Sequence, residues 1–268
     1  MSRSDIAAAM LTRHVTTAID DAMCFKADTT CDEAAKALAR CDFDNAPVKD
    51  ADGVIGHVNQ FDAEQCSESL RRCMRPLQNA TVVGVDTPLS DLLGRLKDHD
   101  FLHVIGGHGV VGLVTPSDFN KQAGRAYFYL SVSDFEIRLA SCVRRGMSDE
   151  KALAKLSSKR RRSVRKRIEQ QREEDLVADA IAAMDITDLL KIATVTGLLS
   201  GLQEPLRHSD GTLEEELVAL RNDVMHLVRK MAHDQQSSVL RLCELDQQLQ
   251  RLLDEVEVAT FGELSPAI

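Results

Sequence analysis

Residues 52–62 read DGVIGHVNQFD and residues 108–118 read HGVVGLVTPSD. Five positions are identical in the two stretches: Gly53/Gly109, Val54/Val110, Gly56/Gly112, Val58/Val114 and Asp62/Asp118. The similarity extends upstream. ADTTCDEAAKAL at 27–38 parallels VDTPLSDLLGRL at 85–96, and Asp42-Phe43 parallels Asp100-Phe101. The register between the copies changes by two residues between these blocks, as one short loop deletion produces. Each copy reads as a helix entered at Asp-Thr, a strand ending near Val48 or Val104, a glycine turn, and a second strand, and this predicts a tandem βαββα unit.

The chain around this repeat has 268 residues, 44% hydrophobic and 28% charged, enough for two domains with ordinary cores. No run approaches the ~18 uncharged apolar residues of a membrane helix, and no secretory signal is present, so a cytoplasmic protein without a membrane partner is expected. Seven cysteines, odd in number and without a Cys-x-x-Cys pair, argue for reduced thiols and against a disulfide framework or a cysteine metal site. The net charge of −9 conceals KRRRSVRKR at 159–167, whose seven basic residues leave −16 on the remainder. Such a run binds phosphate chains or is a solvated helical face.

The repeat resembles the CBS (cystathionine β-synthase) domain pair, whose motif is an apolar strand, Gly-x-x-Thr-x-x-Asp and a helix. Gly112, Thr115 and Asp118 match it in the second copy; Gly56 and Asp62 match in the first, where Asn59 stands in the Thr position. The resemblance implies an adenine nucleotide, AMP or ATP, as a regulatory ligand. Thr115 and Ser117, before a helix start, would hydrogen-bond phosphate, Asp118 would accept from ribose hydroxyls, and Val82 and Val104 would sandwich the base. Asn59 and Asp62 are the counterparts in the first copy. The competing reading is that Thr115 and Asp118 only cap a helix.

From Arg125 onward strand patterns give way to helical ones, so residues 1–124 and 125–268 are expected to be separate domains. Phe128, Val132, Phe135, Leu139 and Cys142 form one helical stripe ending near Gly146. Helices are expected at about 150–184 and 187–200. Another enters through the capping pattern Thr212-x-x-Glu215, with Leu213, Leu217, Leu220, Val224, Leu227 and Met231 as its core face. Asn222 and His226 lie opposite that stripe, with Arg221 on the flank. A last helix carries Leu242, Leu245, Leu249, Leu252 and Val256, a stripe suited either to a homodimer seam or to its own domain.

LRNDVMHL at 220–227 resembles the late-helix signature of the HEPN (higher eukaryotes and prokaryotes nucleotide-binding) family at Arg221, Asn222 and His226. DFEIRLASCVRR, with Glu136, and DITDLLKI look like other segments of that family, although an arginine expected at Ala140 is absent. The fold expected is therefore α+β, a tandem CBS pair followed by an all-α HEPN bundle. The resemblance implies metal-independent RNA cleavage with no catalytic cofactor. His226 would exchange protons with ribose or leaving oxygens, Arg221 would stabilise the phosphate, and Asn222 would orient the imidazole. Such a site works as a homodimer. Two other readings fit the same residues: a non-catalytic nucleotide-sensing scaffold, and a toxin held by an antitoxin.

Overall fold

The computed structural model describes residues 5, 9–174, 179–226, 228–232 and 236–261. The chain divides into two compact units, Ala7–Gly124 with Ala232–Val239, and Arg125–Met231 with Met1–Ile6 and Leu240–Ile268. No helix among the described residues is long and apolar enough to cross a membrane.

The first unit contains the repeat. Its first copy comprises β2 (Phe25–Lys26), α1 (Cys31–Cys41), β3 (Asn45–Asp50), β4 (Gly53–Asn59) and the short α2 (Gln60–Glu64). The second comprises β6 (Val82–Gly84), α4 (Leu89–Leu96), β7 (Leu102–Gly106), β8 (Gly109–Val114) and a 3₁₀ turn, Pro116–Asn120. Helix α3 (Leu70–Cys73) and β5 (Arg75–Pro76) lie between the copies, and β1 (Thr17–Ala18) precedes both.

Local chemistry explains these elements. Thr30 caps α1 by accepting from the Glu33 amide, and Glu33 reciprocates at the Thr30 amide, both at 3.3 Å. Cys31, Ala34, Ala35 and Leu38 then form its buried face. In α4, Leu89, Leu92, Leu93 and Leu96 do the same. Each copy pairs its first strand parallel to its second and its second antiparallel to its third. The ladder irregularity falls at Val48/Lys49 in one copy and at the equivalent Val104/Ile105 in the other, so the duplication is preserved down to the bulge.

The sheets are completed by an exchange absent from the sequence expectation. Strand β1, ahead of the first copy, adds to β8 of the second, and β5, ahead of the second copy, adds to β4 of the first. Gly112 and Gly56 make room for these edges. A Cβ on Gly112 would collide with the Thr17 carbonyl, and one on Gly56 with the Arg75 carbonyl.

The second unit is helical: α5 (Gln122–Gly146), α6 (Asp149–Lys155), α7 (Ser158–Glu173), α8 (Ile186–Thr196), α9 (Leu213–Met225) and α10 (Gln236–Phe261). The predicted α5 stripe is buried throughout, from Phe128 to Cys142. The span expected at 150–184 breaks after Lys155, and the 187–200 helix stops at Thr196, where Gly197 takes a left-handed φ of 67°. Leu213, Leu217, Leu220 and Val224 are the buried face of α9. Leu227 lies outside the described residues, and Met231 is buried beyond the helix.

Two further observations bear on the sequence expectations. Leu242, Leu245, Leu249, Leu252 and Val256 are all buried within the single chain, which fits the second of the two roles expected for this stripe, packing on its own domain. Fully burying each such side chain contributes ~1.5–3 kcal/mol, which the helix gains without a partner. Second, the thiols are not all reduced, because Cys66 and Cys73 form a disulfide across a Cα separation of 6.6 Å. Their seven-residue spacing matches no compact motif; the turn from α2 into α3 brings them together.

The core of the first unit holds a histidine pair. His57 on β4 and His103 on β7 lie with ring centroids 5.4 Å apart, and the Phe101 ring is 4.7 Å from His103. His57 Nδ1 and His103 Nε2 are buried without a hydrogen-bond partner. Burial lowers the His57 pKa from 6.5 to about 4, with neighbouring His103 and Arg75 acting in the same direction and Asp62 against it. Burial also lowers that of His103. An unfolded histidine takes up its proton near 6.5, so between pH 6.5 and about 4 the unfolded state binds protons that the folded state refuses. The first unit is therefore expected to lose stability as pH falls through that window, and a His57→Phe variant to lose less. Urea midpoints from pH 7.5 to 4.5 measure both slopes.

Candidate functional site

A cavity of about 290 Å³ opens in the first unit and takes its walls from both copies of the repeat. Asp42, Phe43, Asp44 and Asn45 come from the α1–β3 link, Asp100 and Phe101 from the equivalent α4–β7 link. Leu113 comes from β8, Thr115, Ser117 and Asp118 from the 3₁₀ turn that follows it and its cap, and Thr17, Asp21, Ala22 and Met23 from the chain leading into the first copy. Asp42 ends α1 in the left-handed region at φ 56°, the one non-glycine residue with positive φ among those described. An aspartate tolerates that conformation better than most residues, and the turn aims the following Phe43 at the cavity wall.

Asp118 is almost completely enclosed. One oxygen accepts from the Thr115 amide at 2.7 Å and the Thr115 hydroxyl at 3.1 Å. The other accepts from the Thr17 hydroxyl at 3.1 Å and lies 2.6 Å from Lys121 Nζ, which also donates to the Val15 carbonyl and to Thr17 Oγ1. The carboxylate thus caps the 3₁₀ turn and ties β1 to it. Ser117 Oγ is 3.0 Å from Thr115 Oγ1.

The element after Thr115 is a five-residue 3₁₀ turn, not the helix expected, so the dipole argument for phosphate at Thr115 and Ser117 loses most of its force. Val104 is fully buried in β7, and neither it nor Val82 lines the cavity. Phe43, Phe101 and Met23 are the flat or polarisable surfaces a base would meet. The repeated Asp-Phe pair was the available sequence signal for them.

The first copy's counterpart is arranged differently. Asn59 accepts from the Phe61 amide at 2.9 Å, capping α2, and donates to Asn45 Oδ1 at 3.2 Å. Asp62 receives Arg75 Nε at 2.6 Å. Arg75 faces His57 in the β4–β5 register as Thr17 faces Leu113 in the β1–β8 register, so Arg75 and Thr17 are equivalent. A guanidinium therefore occupies in one copy the place a hydroxyl holds in the other, and Asn59 and Asp62 do not line the cavity.

In the helical unit, Arg221 and Asn222 are half-buried on α9, whereas His226 is exposed and lies just past the helix end with extended backbone (φ −106°, ψ 94°). Its amide still donates to the Asn222 carbonyl at 3.1 Å, so it follows Asn222 by one helical turn, as expected, and serves as the C-cap. Arg125, buried in this unit, donates its guanidinium to the carbonyls of Asp223 (2.8 Å), His226 (3.4 Å) and Arg229. Side-chain donors to the last carbonyls end a helix as water or a glycine cap otherwise would.

Glu136 on α5 is half-buried. Burial raises its pKa, the charge of Arg221 lowers it, Asp185 raises it and the Ile186 amide lowers it, with a net rise. Glu136, Arg221 and the start of DITDLLKI are therefore neighbours. Asp185 and Asp188 are themselves claimed by Arg160, which reaches Asp188 through two bonds of 2.8 and 2.6 Å and Asp185 at 2.6 Å. Burial opposes ionisation of Asp185, but the bonds from Arg160 and the Asp188 amide outweigh it and lower its pKa. Of the basic run on α7, Arg160 and Arg167 face these acids, Arg161 donates to the carbonyls of Leu153, Ala154 and Leu156, and Lys159, Arg162, Arg165 and Lys166 are exposed.

Comparison with known proteins bears on the first unit. Residues 70–123, covering the second copy, match the CBS domain family model. The first copy is joined to it by the repeat and by the shared strand order and bulge. Similar solved structures include CBSX2 in complex with AMP, at 19% identity over 45% of this chain and 97% of that one, TM-score 0.38. The CBS domain of a bacterial CNNM/CorC family Mg²⁺ transporter in complex with ATP aligns at 16% identity over 43% and 88%, TM-score 0.37. The CBS domains of a transcriptional regulator from Streptococcus pneumoniae align at 18% identity over 40% and 94%, also with TM-score 0.37. No curated protein sequence matches this chain. The chain thus carries a CBS domain at residues 70–123, beside a helical unit that none of these comparisons assigns to a family.

The neighbourhood of Glu136 is testable without any activity. Because the Arg221 charge lowers the Glu136 pKa, Arg221→Gln is expected to move carboxyl ionisation to still higher pH. Carbon-detected NMR titration of the Glu136 carboxyl measures it, and an unchanged midpoint would separate the two side chains.

Proposed function

We propose that the repeat unit is a sensor of an adenine nucleotide and that its ligand state biases the helical unit. The observation that carries this reading is the single cavity wall on which Thr115, Ser117 and Asp118 stand beside Phe43, Phe101 and Met23, giving polar groups for a sugar and apolar surfaces for a base. The match of residues 70–123 to the CBS domain, and the similar CBS structures in complex with AMP and with ATP, support the same ligand class. The lining also holds Asp21, Asp42, Asp44, Asp100 and Asp118. A bare triphosphate is disfavoured beside five carboxylates, so AMP, or ATP carrying Mg²⁺, fits better than free ATP.

Calorimetric titration with AMP and with ATP, with and without Mg²⁺, tests this. Binding to the wild-type protein is expected, with affinity for ATP higher when Mg²⁺ is present. Asp118→Ala removes a charged acceptor worth ~1.5–3 kcal/mol and is expected to weaken binding by at least ~10-fold. Asp62→Ala, whose carboxylate is held by Arg75 away from the cavity, is expected to leave it unchanged. Absence of binding by every nucleotide would sink the sensor reading.

Metal-independent RNA cleavage by the helical unit is a second reading, favoured by the neighbouring Glu136 and Arg221 and by an accessible His226. Arg221 supplies fixed positive charge for a phosphate, and His226 is the proton-exchanging group. A second histidine for the other side of the scissile bond would come from another copy of the chain. His226→Ala is expected to reduce cleavage by ~10²- to 10⁴-fold, the usual worth of a general acid–base group, with EDTA without effect. Gel analysis of an RNA incubated with each protein decides it; cleavage undiminished in the variant removes the catalytic role and leaves a nucleotide-sensing scaffold.

A further inference from the structure

Cys31, Cys66 and Cys73 are brought together by the first copy of the repeat from three different places in the sequence. Their sulfurs all lie within 4.8 Å of one another. Cys31 is the first residue of α1, Cys73 the last of α3, and Cys66 belongs to the link before α3. The link is stitched to α1 by backbone bonds: the Cys31 amide donates to the Glu68 carbonyl at 3.0 Å and the Leu70 amide to the Thr29 carbonyl at 2.8 Å. The Glu68 amide points at Cys66 Sγ, 3.4 Å away. Cys31 is fully buried, while Cys66 and Cys73 are only partly so, which makes the cluster reachable from solvent on one side.

We propose that these three sulfurs form a thiolate site for one thiophilic divalent cation of the Zn²⁺ class, loaded when the Cys66–Cys73 disulfide is reduced. The disulfide accounts for two of the sulfurs, but not for the third, Cys31 Sγ, lying within 4.8 Å of both, nor for the Glu68 amide aimed at Cys66. Amide donation to a ligating sulfur is the usual outer-shell support of a thiolate site. At a Zn–S distance of ~2.3 Å, tetrahedral ligands stand ~3.8 Å apart, so Cys66 and Cys73 must separate on reduction, while Cys31 Sγ already lies within 4.8 Å of both. Soft thiolates select such ions over Mg²⁺ or Ca²⁺. The pair opens by exchange with a dithiol reductant, which becomes a disulfide as Cys66 and Cys73 become thiols. The cation then replaces three thiol protons, which leave to solvent, and the fourth coordination position falls to water.

The test uses full-length protein and Cd²⁺, whose sulfur-to-metal charge-transfer absorption reports thiolate ligation, with Zn²⁺ in competition. Dithiol-reduced protein is expected to take up one Cd²⁺ per chain, displaced by Zn²⁺, and oxidised protein none. Cys31→Ala and Cys73→Ser should each weaken uptake by at least ~100-fold, since outer-shell changes alone cost ~10- to 100-fold. Cys41→Ser, at an exposed cysteine outside the cluster, should bind as wild type. Far-ultraviolet circular dichroism verifies folding, and if the buried Cys31→Ala does not fold, Cys73→Ser decides. The proposal is overturned if reduced wild type takes up no stoichiometric Cd²⁺, if a folded cluster variant binds as wild type, or if the dithiol does not open the disulfide.

Discussion

The first unit depends on two close backbone approaches, β5 against Gly56 and β1 against Gly112. Without them each copy of the repeat would end in an open strand edge, with unpaired amides and carbonyls that invite misassociation. With them, β8 and β4 become interior strands and each sheet ends on that side in a two-residue strand that the chain contributes from ahead of the other copy, too short to template pairing. The exchange also decides what each motif aspartate meets. Arg75 arrives on β5 and covers Asp62, whereas Thr17 arrives on β1 and leaves Asp118 beside a cavity. The difference between the two halves follows from one residue on each edge strand.

Much of this unit was legible in the sequence because its signals are local. The Asp-Thr helix entries and the paired glycine turns each act within a few residues, so they carry through to the structure. The edge strands were not legible. Two residues such as Thr17–Ala18 have no periodicity to read, and their pairing partners lie far away in the chain. The cavity was half legible: Thr115, Ser117 and Asp118 line it, but the apolar surfaces expected from Val82 and Val104 come instead from Phe43 and Phe101. A repeat identifies equivalent residues without saying which way their side chains face.

In the helical unit the buried stripes were readable and the helix ends were not. Helix α9 stops where Arg125 reaches its last carbonyls, a contact between residues about a hundred positions apart that no capping pattern announces. His226, whose carbonyl takes part in that contact, stands as the C-cap one turn past Asn222. The helix near 187–200 was readable, but the recruitment of Arg160 from the basic run to Asp185 and Asp188 at its start was not. Part of what read as an open cationic surface is internal structure holding α7 to α8.

The Arg75–Asp62 pair has a consequence for how such a sensor would report concentration. Two equivalent pockets in one chain would allow the first occupant to prepare the second, and the response would rise more steeply than simple saturation. With Arg75 held on Asp62 in the first copy, the proposed sensor would have one such pocket per chain, and its occupancy would follow simple saturation. A chain of this kind gives a graded output over a broad range of ligand level, and switch-like behaviour would have to be supplied by assembly of several chains.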